Sequence, residues 1–171
     1  MELRSHKIDD DVTKKGERNL AIRTKLFLTS IATLFLATGA AQAEPISPAD
    51  VGIVDGDTVR IHNKHPNVRL VGFNAPETRN ASCQAEADLG ARATHRLREL
   101  VKLGNLDFVY VQCSCPEGTQ GTFACNYARD CGTLRANGKD VGATLIEEGL
   151  AVPFVCGTTR CPATPRPWCR P

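Results

Sequence analysis

Between Ile53 and Thr78 the chain sets side chains of complementary chemistry at short spacing. The segment IVDGDTVRI, Ile53 to Ile61, carries Asp55 and Asp57, and VRLVGFNAPET, Val68 to Thr78, carries Arg69, Asn74 and Glu77. Carboxylate and amide oxygens are the ligands that a hard cation such as Ca²⁺ prefers. An arginine fork matches a phosphate, and a carboxylate left over can take a proton from water. Together these groups suit metal-assisted hydrolysis of a phosphodiester. Either segment alone also reads as plain turn punctuation, because Asp-Gly and Asn-bearing turns are common between strands.

The elements that must hold these residues are short. Val51 to Ile61 reads as a hairpin turning near Asp55-Gly56-Asp57, or as one bent strand, and Val68 to Phe73 reads as an apolar strand stopped by Pro76. From Gln84 to Leu103 the pattern turns helical: Leu89, Ala93, Leu97, Leu100 and Val101 share one face. Arg92, Arg96, Arg98 and Lys102 lie on the other, a solvated basic face, and Gly104 sits where a helix ends. Leu106 to Val111 is a further strand, and Cys113 to Cys125 is a loop. Thr133 to Ala136 is strand-like before the Asn137-Gly138 turn. Asp140 can cap a helix over Val141 to Glu148, closed by Gly149. Taken alone, this order supports an α+β, mainly β domain built on a small barrel.

Residues 1–43 stand apart. A basic region precedes an apolar run from Leu26 to about Ala41, followed by Ala41-Gln42-Ala43 and then Glu44. This is the pattern of a secretory signal peptide, with the mature chain starting at Glu44; the competing reading is an uncleaved signal anchor. The run falls short of the ~20 residues of a membrane span. Cleavage leaves 128 of the 171 residues, the size of one domain. It also removes seven of the 21 basic and five of the 19 acidic residues, leaving 14 of each. With no net charge, attraction to a polyanion must come from a local cluster.

All eight cysteines, from Cys83 to Cys169, lie in that mature part. An even count in an exported chain reads as disulfides, and no C-x-x-C pair favours zinc. Four bridges allow many connectivities. A hairpin turning near Gln120 would set Cys115 opposite Cys125 and Cys113 near Cys131. Residues 156–171 are Pro- and Cys-rich and lack periodic patterning, so they read as an extended tail tethered by disulfides.

The paired segments, taken in order, resemble the staphylococcal nuclease (thermonuclease) family. Its pattern is DGDT, then a strand carrying an arginine, then D-x-P-E. A third family element, Tyr-Gly-Arg ahead of a strand and an N/D-G-K turn, has its counterpart at Tyr127-Ala128-Arg129 and Asn137-Gly138-Lys139. The resemblance runs from about Val51 to Phe154. It implies a five-stranded OB-fold-like barrel over residues 44–155, with a helix after the third strand and a short C-terminal helix. It also implies a Ca²⁺-dependent nuclease acting on DNA, RNA or both; with the leader pattern this reads as an exported nuclease, expected to be monomeric and not inserted in the membrane after cleavage. By position, Asp57, Asn74 and the Ala75 carbonyl match the metal ligands, Glu77 matches the general base, and Arg69 and Arg129 match the phosphate-gripping arginines. Three departures stand out: Asn74 replaces an aspartate, Ala128 replaces a glycine, and Cys125 stands where an aspartate is frequent. The first removes one negative charge from the metal site.

Two readings of other classes remain open. One is a catalytically weak OB-fold module that binds single-stranded nucleic acid, against which stands the small number of aromatics able to stack bases. The other is a disulfide-stapled envelope protein that uses the barrel for protein or glycan contacts.

Overall fold

Short runs in which apolar side chains alternate with polar ones fold into strands because that spacing puts every second residue on the buried face. The computed structural model describes residues 43–169. The expected signal peptide therefore lies outside the described residues, save Ala43. Among the described residues nine strands and two α-helices follow in the order β1 (Glu44–Ile46), β2 (Val51–Ile53), β3 (Thr58–Ile61), β4 (Val68–Leu70), β5 (Gly72–Asn74), α1 (Gln84–Lys102), β6 (Leu106–Val111), β7 (Asp130–Ala136), β8 (Lys139–Asp140), α2 (Val141–Glu147) and β9 (Val152–Phe154). The large sheet runs β1-β6-β7-β4-β3-β2, with β8 added to β7. It curls into a half-barrel, and its β2, β3, β4, β6 and β7 are the five strands of an OB-like α+β fold. Helix α1 follows the third of these strands. Among the described residues no helix is long and apolar enough to cross a membrane.

Register is what positions the chemistry. β3 pairs antiparallel with β4 so that Thr58 faces Arg69, and β4 pairs parallel with β7 so that Arg69 faces Cys131. Asp57, Arg69 and Arg129 are thereby brought to one region of the sheet, although the first and last lie 72 positions apart in sequence. The stretch read as one strand, Val68 to Phe73, divides at Val71. Gly72 turns the chain there with φ +95°, a conformation that costs glycine nothing. Gly72–Asn74 then leaves the large sheet and pairs with Val152–Phe154, bringing Asn74 opposite Val152.

The core lies between the curled sheet and the two helices. Val59, Leu70, Phe73, Leu97, Leu134 and Leu145 are all essentially buried, each contributing about 1.5–3 kcal/mol relative to exposure. The apolar face of α1 is as read, with Ala93, Leu97, Leu100 and Val101 buried. Two glycines let the helices approach closely. A Cβ on Gly142 would lie 2.2 Å from the Phe73 ring, and one on Gly90 would lie 2.6 Å from the Pro76 carbonyl oxygen. Asp140 caps α2 through Oδ1, which accepts from the Ala143 amide at 2.9 Å.

Four disulfides staple the fold: Cys83–Cys169, Cys156–Cys161, and the buried pair Cys113–Cys131 and Cys115–Cys125. The last two are nested as the hairpin around Gln120 predicts. Such bridges form and persist in oxidising compartments.

Candidate active site

Gly56 is the pivot of the Asp55-Gly56-Asp57 turn, for a packing reason. Its φ is not left-handed, but a Cβ there would lie 2.7 Å from the Ala75 Cβ and 3.1 Å from the Ala93 Cβ. The glycine allows the turn, the 74–77 segment and α1 to meet at one point. Asp57 is buried at that point. Its Oδ2 accepts from the Ala75 amide at 2.8 Å and its Oδ1 from the Thr58 hydroxyl at 3.1 Å. Arg69 Nη1 lies 2.7 Å from the same Oδ2.

Arg69 is held on all sides. Nη1 donates to the carbonyls of Asp57 and Leu70, and Nη2 donates to the Phe73 carbonyl at 3.1 Å and to Asn74 Oδ1 at 2.8 Å. A guanidinium bound this tightly is a fixed positive charge that needs no reorganisation to face an anion. Even so, burial outweighs the attraction of Arg69 and, helped by the nearby Asp55 carboxylate, pushes the Asp57 carboxyl up to about 6. The Asp57 oxygens are engaged by Arg69, the Ala75 amide and the Thr58 hydroxyl. Together with the neutral oxygen of Asn74, this donor set is all oxygen and suits a hard cation. Among the described residues no group of three or more His, Cys, Asp or Glu is placed to hold a metal ion.

Arg129 reaches the same region from the other side. It follows a turn, Asn126–Ala128, whose three residues all have left-handed φ, at 52°, 58° and 58°. That conformation costs a non-glycine residue roughly 1–2 kcal/mol. It persists because the Cys115–Cys125 and Cys113–Cys131 bridges pin the chain on either side. Arg129 Nε donates to the Asn126 carbonyl at 3.1 Å and Nη2 to Asn126 Oδ1 at 2.8 Å. Nη1 reaches the Thr58 hydroxyl at 3.4 Å, and the guanidinium lies 5.7 Å from the Tyr127 ring centre. Burial and the neighbouring Arg69 charge lower its affinity for a proton, opposed by Asp57, Asp55 and Glu77. Glu77 is exposed, and it lines one cleft of about 1160 Å³ with Asp55, Asp57, Arg69, Asn74 and Arg129.

Five of the six residues singled out from the sequence therefore share this cleft. Ala75 is buried beneath it and meets Asp57 through its amide. Sequence reasoning missed the C-terminal tail. Thr159, Arg160, Thr164 and Arg166 line the same cleft, and Asn74 Nδ2 donates to the Pro165 carbonyl at 3.0 Å. One signal was present: Glu86 lies seven residues before Ala93, on the apolar face of α1. A carboxylate there demands a buried partner, and that partner is Arg166 of the tail.

The chain is thus an OB-like α+β half-barrel with a mixed arginine and carboxylate cleft at its surface. The family model described as staphylococcal nuclease homologue matches residues 67–162. That is more than half of the 171 residues, and the chain belongs to this family. Comparison with curated proteins returns no match.

Proposed function

We propose that the protein is an exported, calcium-dependent nuclease that hydrolyses phosphodiester bonds of DNA, RNA or both. The observation that carries this reading is the convergence of Asp57, Arg69, Asn74, Glu77 and Arg129 on one open cleft in a member of the staphylococcal nuclease family. Export is supported by the leader pattern before Glu44 and by the four disulfides.

Each residue has a role suited to its surroundings. Arg69, with both Nη groups committed to protein oxygens, acts as the fixed charge against which a phosphate settles. Arg129 commits Nε and Nη2 to Asn126 but holds Nη1 only by a long contact to Thr58, and that Nη1 is the donor that grips the phosphate directly. Glu77, exposed at the cleft wall, takes the proton of the attacking water. The water oxygen forms the new bond to phosphorus while the ester P–O bond opposite it breaks. Negative charge grows on the equatorial oxygens between the two arginines, where preorganised donors stabilise it. Asp57, Asn74 and the Ala75 carbonyl would hold the calcium ion. Calcium held there would supply further positive charge to offset the charge that develops on the phosphate.

The test is digestion of single-stranded DNA, duplex DNA and RNA with calcium and with a chelator. Cleavage should require calcium, and Glu77→Gln should lower turnover by about 10²–10⁴ with an unchanged melting temperature. Cleavage indifferent to chelator and to Glu77→Gln would reject the assignment. Nucleic-acid binding without cleavage would point to the binding module instead.

A further inference from the structure

Among the described residues the C-terminal tail carries neither helix nor strand after Phe154, yet it is anchored near Arg166 and Cys169 by two independent means. Cys169 is bonded to Cys83 at the start of α1. Arg166 makes a two-pronged contact with the fully buried Glu86, Nε to Oε1 at 2.9 Å and Nη2 to Oε2 at 2.8 Å. Arg166 Nη2 also donates to the Asn80 carbonyl at 2.8 Å, and Glu86 Oε2 accepts from the Ser82 amide at 2.7 Å. Arg166 itself stands at the surface, but its partner Glu86 is wholly buried, so the pair can form only where the tail lies over Glu86, and the position so specified is that of Pro165.

The Pro165 carbonyl accepts the Asn74 amide, and this decides which way Asn74 faces. With Nδ2 committed to the tail, Oδ1 is turned to Arg69, which in turn holds Asp57. A chain of contacts thus runs from the tail to the middle of the cleft. It needs an amide: an aspartate at 74 would set a carboxylate oxygen against the Pro165 oxygen at the 3.0 Å now spanned by a hydrogen bond. The asparagine in an aspartate's place and the latched tail are two halves of one arrangement.

We propose that the tail is a working part of the active site. Asn74 is a positioning residue that fixes Arg69, and Pro165 is held on Asn74 by the Arg166–Glu86 and Cys83–Cys169 latches. This rests on the nuclease reading for its kinetic consequence, but not for its structural one.

The experiment compares the full chain with an unlatched form carrying Cys83→Ala, Cys169→Ala, Glu86→Gln and Arg166→Gln, each with Asn74 and with Asn74→Ala. Circular dichroism sets an assay temperature at which all forms are folded; if the fourfold variant is not folded, Cys83→Ala/Cys169→Ala replaces it. In the Asn74 background, unlatching should lower kcat about 10-fold, as expected for misplacing a charged group by a fraction of an ångström, with KM within about threefold. In the Asn74→Ala background it should change kcat less than about twofold, since coupled sites are not additive. NMR of the Asn74 side-chain amide and the Arg69 guanidinium gives a readout independent of turnover. Both signals should shift on unlatching, and the Arg69 signal should no longer respond once Asn74 is alanine. Equal losses of kcat in the two backgrounds, or NMR signals indifferent to the latch, would overturn the proposal. Shifted signals in a protein without nuclease activity would uphold the positioning and reject the nuclease reading.

Discussion

Gly90→Ala separates the ordinary behaviour of a helical glycine from what this site requires. In an exposed helix interior the substitution stabilises by about 1 kcal/mol. Here the new Cβ would lie 2.6 Å from the Pro76 oxygen, 2.8 Å from the Glu77 oxygen and 2.9 Å from the Glu77 carbonyl carbon. All three are backbone atoms, so no rotamer change relieves the contact. Helix α1 and the 76–77 segment must separate by at least 0.4 Å to bring the shortest distance to 3.0 Å. Overpacking of this kind costs about 1–3 kcal/mol. The propensity gain is therefore cancelled or reversed, for a net loss of up to about 2 kcal/mol and a melting temperature lower by several degrees. Glu77 rides on the displaced segment. A misplacement of about 1 Å costs on the order of 100-fold in rate, so roughly half of that should lower kcat on the order of 10-fold. Thermal unfolding followed by circular dichroism, with kcat on a DNA oligonucleotide, reads both effects. A melting temperature raised by several degrees with kcat unchanged would refute the close approach of α1 to Pro76 and Glu77.

Two further outcomes follow from particular residues. Ala128→Gly should stabilise the Asn126–Ala128 turn by up to about 1 kcal/mol, because glycine adopts φ 58° without the penalty that alanine carries; a midpoint lowered in urea unfolding would contradict this. Arg166 beside Glu86 holds that carboxyl below the usual glutamate range, through the hydrogen bond first. Its contribution to stability is therefore present above the unfolded value of about pH 4.3 and lost as pH falls through the lower folded value. Urea unfolding between pH 7 and pH 3 should show a steeper acid loss for the natural protein than for Glu86→Gln, and equal slopes would reject the latch as an acid-sensitive element.

The sequence by itself determined the local elements and most of the cleft. Helix α1 was legible from its apolar spacing, α2 from Asp140 and Gly149, and the nested disulfides from a hairpin about Gln120. The fold followed from the order of the strands together with the DGDT-type, Asn-Ala-Pro-Glu and Tyr-Ala-Arg segments, whose residues come together because β3, β4 and β7 are neighbours in register. Three things were decided only in the tertiary structure. Gly56 looked like a residue required by a turn, but it is required by Ala75 and Ala93 pressing on it, a contact between segments distant in sequence. The Val68 to Phe73 strand looked continuous, but the pairing of Gly72–Asn74 with Val152–Phe154, 80 residues away, draws its second half into another sheet. The tail looked like a tether because it has no periodicity to read. Its contacts with Asn74 and Glu86 rest on single polar groups separated by some 80 to 90 residues. A hydrogen bond or ion pair of that span leaves no repeating pattern in sequence, and only the folded chain brings its two ends together.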